Sequence, residues 1–398
     1  MAPAIRPVTG LGANGEGTHG VTEGLGRFGD DGRERAAAEP GALGRRISAR
    51  RRRRALFAGG VVVALLIGWG ATEWVRDGGP FGTEARHCWD AWAPDDAPFL
   101  SDAWLGEAGH RTGTSEGPER GEGECTVSIA SSDRDDLSSE IEVVYGPAPE
   151  GADERFDWLL EHLGGTAVPV PDGLPGAVTA ESGLLVLPER CDNADGRPTT
   201  VSLTAKSTRS WNNGRRATSS GLGGVDRVAR LLVAAADAAM DRAGCGGPRQ
   251  EVRSPVLNLP EDAEKVFWSS ASSLCRITGL AVDKVTADSL GDQRVGVVGP
   301  ELQTCVVTRR HSAQPYLSAV MVAQPGLMRL FEGLAGDGVP APGWRGTGSL
   351  AGNRQVVRTE CGDRRMGFLM AGTSEEQAAA FANSVADRLG CAAVAPRP

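Results

Sequence analysis

The 398-residue chain lacks the short motifs by which catalytic and metal-binding sites are usually recognised. It has no Gly-x-Ser-x-Gly turn, so the nucleophile of a typical serine hydrolase is not indicated. Its cysteines include no Cys-x-x-Cys pair, which argues against a zinc site. Asp192 to Gly196 has acidic residues but not the spacing of a calcium loop, and favours a turn between two strands. The sequence therefore predicts no catalytic, metal or cofactor-binding residues.

Histidines are few, and those beyond residue 75 do not fall into a catalytic pattern. His162 lies on a helical pattern beside polar residues, which predicts a surface position. His87 and His110 lie in loop-like sequence and are expected to be solvated. His311 follows Arg309 and Arg310, so it is expected to belong to a small basic patch at a strand end.

Aromatic residues are also scarce, at 5% of the chain, so the core must rest mainly on Val, Leu, Ala and Ile. Residues 1–54 carry 11 arginines against 6 acidic residues, whereas residues 76–398 have a net charge of −13. Binding to nucleic acid requires basic surfaces that displace counterions from phosphate. The acidic bulk of the chain therefore argues against a nucleic-acid partner.

An uncharged apolar segment runs from Ala55 to Thr72. Its 18 residues would span about 27 Å as a helix, close to the thickness of the bilayer hydrocarbon. Arginines crowd the preceding stretch, 45–54, so the positive-inside rule places the N-terminus in the cytoplasm and the C-terminus outside the cell. A single-pass protein of the cell membrane, with the lipid bilayer as a partner, is expected. A cleaved signal peptide is the alternative.

Four small residues recur at every fourth position of this segment: Gly60, Ala64, Gly68 and Thr72. Small side chains let membrane helices approach closely, so this face predicts a homodimer through the transmembrane helix. The full domain division is a disordered arginine-rich cytoplasmic tail (1–54), a transmembrane helix (55–75) and two extracytoplasmic domains (76–247 and 248–398).

The two outer domains are related by an internal duplication. Met240 to Cys245 matches Ala386 to Cys391 at the end of a helical pattern, and Glu189-Arg-Cys191 matches Thr359-Glu-Cys361. A glycine lies 15 residues before each of the latter cysteines, at Gly176 and Gly346. Each copy shows the order β-β-α-β-β-α. In the first copy the patterns predict strands at EIEVVY (140–145) and LLVLPERC (184–191) and a helix over 152–163, and in the second a capping box of Ser374 and Gln377 predicts the start of the last helix. The fold class is therefore predicted as α+β, with two related antiparallel sheets and helices on one face of each.

All eight cysteines lie in the outer domains, and an even number in an exported region predicts disulfides. They are Cys88, Cys125, Cys191, Cys245, Cys275, Cys305, Cys361 and Cys391. Four cysteines in each copy allow three connectivities. The preferred one joins the first to the second and the third to the fourth, which would tie a helix to the sheet that it covers.

Each copy also resembles a broad group of actinobacterial cell-envelope domains, found in lipoproteins and in the outer parts of membrane proteins. The match rests on Ser273 to Thr278, Cys305-Val-Val and Cys125-Thr, and covers about 30 residues in each copy. The tryptophan expected in the Cys-Thr-Trp strand is replaced by Val127 and Val306. The resemblance implies an envelope location and an α+β fold, and it brings no catalytic residues.

These observations lead to a functional expectation. The chain is expected to be a non-enzymatic, membrane-anchored binding or interaction protein of the bacterial cell envelope, with an unknown extracytoplasmic ligand or protein partner. The alternative is a cell-envelope hydrolase whose active site follows no recognised motif.

Overall fold

The described part of the chain forms two antiparallel sheets with helices packed on them. The computed structural model describes residues 86–92, 110–130, 137–210, 216–217, 222, 224–259, 264–265, 272–312 and 315–397. Residues 73–398 group into one compact unit by their contacts. The α+β arrangement expected from the sequence is present in this unit.

The first sheet has eight strands in the order β1-β2-β3-β7-β6-β5-β4, with β8 paired to β7. The strands are β1 (His110–Glu116), β2 (Gly123–Ala130), β3 (Leu137–Pro147), β4 (Val168–Pro169), β5 (Gly176–Val178), β6 (Ser182–Val186), β7 (Thr199–Ser210) and β8 (Arg216–Ala217). Helix α1 (Ala152–Leu163) follows β3, and helix α2 (Val225–Arg242) follows β8.

The second sheet has seven strands in the order β13-β14-β15-β12-β11-β10-β9. They are β9 (Glu264–Lys265), β10 (Leu290–Val298), β11 (Leu302–Arg309), β12 (Pro315–Val322), β13 (Thr347–Ser349), β14 (Arg354–Cys361) and β15 (Arg364–Ala371). Helix α3 (Lys284–Ser289) precedes β10, the short helix α4 (Pro325–Met328) follows β12, and α5 (Glu375–Leu389) follows β15. Single turns of 3-10 helix cover Pro118–Arg120, Glu189–Cys191, Leu274–Arg276 and Arg329–Phe331.

The strand order repeats between the sheets, as a duplication requires. The series β1-β2-β3-β7-β6-β5 recurs as β10-β11-β12-β15-β14-β13. The predicted β-β-α-β-β-α pattern was incomplete, because each half also has a leading strand (β1 or β10) and a three-residue strand (β5 or β13). The sequence of β1, HRTGTSE, has no apolar alternation, and β13 has only three residues, so neither carries a strand signal.

Alternation of side chains explains how each sheet acquires its core. On β3, the buried residues Ile141, Val143 and Tyr145 alternate with Glu140 and Glu142. Helix α2 covers this sheet through contacts with β3, β5, β6 and β7. In the second sheet, the rings of Phe368 on β15 and Phe381 on α5 meet edge to face at 6.1 Å.

The start of α5 confirms the helix signal read from the sequence. The Ser374 side chain accepts a hydrogen bond from the backbone N–H of Gln377, and the Gln377 side chain accepts one from the Ser374 N–H. Two of the unpaired donors at the helix start are satisfied in this way. The helix begins where the capping box predicts.

Helix α1 packs against both sheets, which the sequence did not predict. This helix contacts β5 and β6 of the first sheet and also β12 of the second. One continuous hydrophobic cluster includes Leu184 and Val186 of the first sheet, Val320 and Leu369 of the second, and Phe331. The two sheets therefore share a core, which the separate reading of each repeat could not reveal.

The preferred disulfide connectivity is confirmed. The structure contains the bonds Cys88–Cys125, Cys191–Cys245, Cys275–Cys305 and Cys361–Cys391. Each half therefore has two disulfides of its own. Chain segments of 30 to 54 residues are closed by these bonds, which is long enough for each to restrict the unfolded chain substantially.

The strand register corrects one detail of the predicted duplication. A Cβ on Gly176 would lie 2.4 Å from the carbonyl oxygen of Leu184, and a Cβ on Gly348 would lie 2.0 Å from that of Val356. Leu184 and Val356 occupy the same position in the two sheets. Gly176 therefore corresponds to Gly348, and not to Gly346 as the spacing suggested.

The prediction of a single transmembrane helix was wrong, which corrects the predicted fold class and location. Within the described residues, no helix has both the length and the apolar character needed to cross a bilayer. The longest, α2, has 18 residues and includes six charged ones. The tail 1–54, the segment 55–75 and its positions Gly60, Ala64, Gly68 and Thr72 lie outside the described residues. On this finding we correct the predictions of a membrane helix, of a cell-membrane location and of the orientation derived from them.

Candidate functional site

The best-defined candidate site is a cleft of about 450 Å³ on the second sheet. It lies between the segment that follows β12 and the strands β14 and β15, a volume typical of a small-molecule site. Its lining residues are Met328, Glu332, Arg345, Gly346, Thr347, Arg358, Thr359, Glu360, Arg365 and Met366. We call it the arginine cleft, because three arginines line it.

The β14–β15 hairpin brings the charged side chains of the cleft together. Glu360 is the cross-strand partner of Arg365, and Arg358 is the partner of Gly367. Residues two apart on a strand point to the same face, so Arg358, Glu360 and Arg365 lie on one side of the sheet. Val357 precedes Arg358 and Met366 follows Arg365, so both point to the opposite face, where they are buried in the core of the second sheet.

A glycine lets the third arginine reach this row. Gly346 has φ +92°, a conformation that favours glycine, and a Cβ there would lie 2.0 Å from the carbonyl oxygen of Arg358. The loop before β13 can therefore approach β14 closely. Arg345 immediately precedes Gly346 in this loop, and its backbone N–H donates a hydrogen bond to the carbonyl of Val394.

The arginines of the cleft are only loosely paired. Arg358 Nη2 lies 3.5 Å from Asp337 Oδ1, and Arg365 Nη1 lies 3.9 Å from Glu332 Oε1. The guanidinium of Arg345 makes no hydrogen bond or ion pair with any residue that the structure describes. Distances beyond 3.3 Å and partners exposed to water make such pairs weak.

Two arginines outside the cleft, Arg354 and Arg155, are held much more firmly. Arg354 donates to both carboxylate oxygens of Asp157, at 2.9 and 2.5 Å. Arg155 donates to the carbonyls of Pro149, Glu332 and Glu150, at 2.6, 2.8 and 3.3 Å. The second of these bonds runs from α1 to the rim of the arginine cleft and fixes the backbone there.

The arginine cleft has no counterpart in the first sheet. The register pairs Leu203 with Gly183 and, at the same position of the second sheet, Met370 with Gln355. Counting along the strands, Arg358 corresponds to Val186 and Arg365 to Pro198, both of which are buried. The same backbone is therefore built with apolar residues in one half and with partly exposed cations in the other.

A segment of the second half occupies the corresponding place on the first. Arg329 donates to the carbonyl of Leu187 at 2.9 Å and pairs with the carboxylate of Asp192. Both side chains of the ion pair are mostly buried. The first half is thus closed where the second half is open.

The structure changes the expectation for His162. The residue was predicted at the surface, but it is only 2% exposed, and neither ring nitrogen has a hydrogen-bond partner. Its ring lies 5.2 Å from that of Trp158. Burial lowers the pKa of His162 to about 4, and the nearby carbonyl of Trp158 opposes this only in part. His162 is therefore neutral in the folded protein at neutral pH.

The other predicted residues do not assemble into a site. His311 is exposed, while Arg309 lies over the Tyr316 ring at 5.0 Å and Arg310 donates to the carbonyl of Leu290. The two arginines of the expected basic patch are thus engaged within their own half. His87 lies in the turn of the Cys88 disulfide, and the side chain of His110 lies outside the described residues.

Sequence reasoning missed the three arginines of the cleft. The signal was present in β14, whose sequence RQVVRTEC alternates, so that Arg358 and Glu360 must share a face. Recognising the β14–β15 hairpin would have added Arg365 to that face. Arg345 could not have been found in this way, because it belongs to a loop.

Asp237 and Gln250 line a second groove, about 620 Å³, between α2 and the segment 249–252. Burial raises the pKa of Asp237, and the backbone N–H of Gln250 donates to its carboxylate at 2.9 Å. Four acidic and four basic residues line this groove, so it has no distinct charge.

Within the described residues, no group of His, Cys, Asp and Glu could hold a metal ion. Comparisons with family models, with curated proteins and with solved structures found no match to this chain.

Proposed function

We propose that the chain is a non-catalytic binding protein of an oxidising compartment, and that the arginine cleft is its ligand site. The ligand is a small molecule with anionic character. This proposal keeps the expected binding role and assigns it to a place in the structure.

The disulfides support the oxidising compartment. All eight cysteines are paired, and none is free. Disulfides persist outside the reducing cytoplasm and are rare within it. A chain that relies on four of them for its stability is suited to an exported location.

The difference between the two halves carries the proposal for the cleft. Val186 and Pro198 in the first half show that this backbone folds without cations at these positions. Arg358 and Arg365 are therefore not required by the fold, and their loose ion pairs add little to stability. Arginines that remain available to a ligand are the usual means of recognising carboxylate or phosphate.

The alternative of an envelope hydrolase has no comparable support in the described residues. A hydrolase of the serine type needs a histidine that can accept a proton from a nearby hydroxyl. His162 is buried without a hydrogen-bond partner, and His311 is exposed on a turn. Neither lines the arginine cleft.

Binding and turnover can be separated in one experiment. The full chain, with its disulfides formed, is mixed with soluble cell-wall fragments sorted by charge. Binding is followed by the shift in unfolding temperature, and the fragments are then analysed by mass spectrometry. We expect anionic fragments to bind unchanged, and the double variant Arg358→Gln/Arg365→Gln to lose this binding. Chemical conversion of a fragment would favour the hydrolase, and no binding in any charge class would refute the proposed function.

A further inference from the structure

The arrangement of the cleft arginines restricts the chemistry of the ligand. We infer that the arginine cleft selects a small molecule with two anionic oxygen groups separated by a short apolar chain, such as a dicarboxylate. This inference rests on the proposed function and narrows it from anions in general to dianions.

The two sheet arginines are placed to hold two separate groups. Arg358 faces Gly367 across the strands, and Arg365 lies two residues from Gly367 on the same face. Such diagonal neighbours are about 7–8 Å apart. Gly367, directly opposite Arg358, has no side chain, and the Phe331 ring lies close to it, since a Cβ there would lie 2.5 Å from that ring. The two arginine side chains therefore leave the sheet at separate points, and each can contact a different anionic group.

The protein's own carboxylates already mark two anion positions. Asp337 is the neighbour of Arg358, and Glu332 is the neighbour of Arg365. The Asp337 side chain is fully exposed and stands between Gly336 and Gly338, so it can move aside at little cost. A ligand with two carboxylates would replace two weak pairs by two closer ones.

Arg358 has an unmet hydrogen-bonding requirement in the free cleft. Its Nε is buried and has no partner, while its Nη2 reaches Asp337 only at 3.5 Å. A buried donor without a partner is unfavourable. A carboxylate that contacts the guanidinium through two oxygens would satisfy the edge that carries Nε, given a small rotation of the side chain.

One wall of the cleft beside the charged groups is apolar. Met328, which follows β12, lines the cleft and is 4% exposed. A carbon chain between two acid groups can contact its thioether side chain, which adapts to varied shapes. A single compact anion such as inorganic phosphate would leave this surface unused.

The test compares ligands of one length that differ in the number of acid groups. Binding of glutarate, pentanoate and inorganic phosphate to the full chain is measured by calorimetry at low ionic strength. We expect glutarate to bind about tenfold more tightly than pentanoate, since each charged hydrogen-bonded pair is worth about one power of ten. Arg358→Gln and Arg365→Gln should each abolish that difference, and Asp337→Asn should increase the affinity for glutarate.

Arg364→Gln is the matched control. Arg364 neighbours Arg365 on β15 but alternates to the other face, and its Nη1 donates to the carbonyl of Pro300 at 3.3 Å. Its removal should leave glutarate binding unchanged, and thermal unfolding of each variant verifies the fold. Equal affinities for glutarate and pentanoate, or an effect of Arg364→Gln as large as that of Arg365→Gln, would overturn the inference. If only monoanions or phosphate bind at the cleft, the dianion inference fails and the proposed function stands.

Discussion

The buried His162 predicts a defined loss of stability in mild acid. Its pKa is lowered from 6.5 to about 4 in the folded protein, because burial in the core disfavours the charged imidazolium. The unfolded chain binds a proton at this residue as the pH falls below 6.5, while the folded chain does not until about pH 4. Protonation therefore favours unfolding throughout this interval, and the folded state is most favoured above it.

The size of the effect follows from the shift. One pKa unit corresponds to about 1.4 kcal/mol, so the full loss below pH 4 amounts to about 3 kcal/mol. Between pH 7 and pH 5 the same linkage gives a loss of about 2 kcal/mol. This is a large part of the stability of an ordinary domain.

His162→Leu should remove this pH dependence. The variant replaces two unpaired ring nitrogens by an apolar side chain of similar size, so at pH 7 it should be as stable as the parent chain or slightly more stable. Urea unfolding, followed by tryptophan fluorescence at pH 7, 6 and 5, measures the free energy of unfolding of both proteins. Their difference should widen by about 2 kcal/mol in favour of the variant between pH 7 and pH 5.

Other titrating groups should not affect the difference in the free energy of unfolding between the parent chain and His162→Leu. Asp237, whose pKa is raised by burial, is present in both proteins and cancels from the difference. His311→Gln changes an exposed histidine and should keep the full pH dependence of the parent chain. A difference between the parent chain and His162→Leu that stays constant from pH 7 to pH 5 would refute the reasoning.

Three further predictions concern the framework. Replacing both cysteines of the Cys361–Cys391 bond by serine opens a 30-residue segment and should lower the free energy of unfolding by about 3–4 kcal/mol, as measured in urea; a loss below about 1 kcal/mol would contradict the loop-entropy account. Gly348→Ala should lower the free energy of unfolding by about 2–3 kcal/mol, because its Cβ would lie 2.0 Å from the Val356 carbonyl oxygen. Gly352→Ala, with φ +70° but open space around it, should lower it by only about 1 kcal/mol. Equal losses in urea unfolding would show that the backbone shifts to remove the close contact at Gly348. The shared core predicts a single thermal transition for the two sheets, with the calorimetric enthalpy equal to the van't Hoff enthalpy; two separate transitions would contradict it.

Local patterns in the sequence were sufficient for the main elements. The helix predicted over 152–163 is α1, with the same bounds, because Phe156, Leu159 and Leu163 recur at helical spacing and are all buried. The strand EIEVVY is part of β3, because its apolar residues alternate. The disulfide pairing followed from the order of the same elements, since the third cysteine precedes a strand and the fourth ends the helix that covers it.

Non-local packing explains what the sequence did not reveal. His162 lies on α1 beside polar residues, so the pattern of its own helix does not predict its burial, and α1 contacts both sheets. The stretch LLVLPERC was predicted to be a strand up to Cys191, but β6 ends at Val186 and a 3-10 turn follows Pro188. Proline has no N–H to continue the ladder, so the strand stops before it.

The duplication itself separates residues that build the fold from residues that do something else. Both halves retain features that the fold uses: Gly176 and Gly348 make the same close approach, and each half has one disulfide between its first two cysteines and one between its last two. The halves differ at the equivalent positions Val186 and Arg358. Val186 is a buried apolar residue, whereas Arg358 is a cation whose Nε is buried without a hydrogen-bond partner, which is unfavourable for stability. A cation in this place weakens a sheet that folds without one, so its presence in the second half needs a reason outside folding. The ligand binding that we propose for the arginine cleft would supply that reason. In the first half the corresponding place is closed by Arg329, which bonds to Leu187 and Asp192.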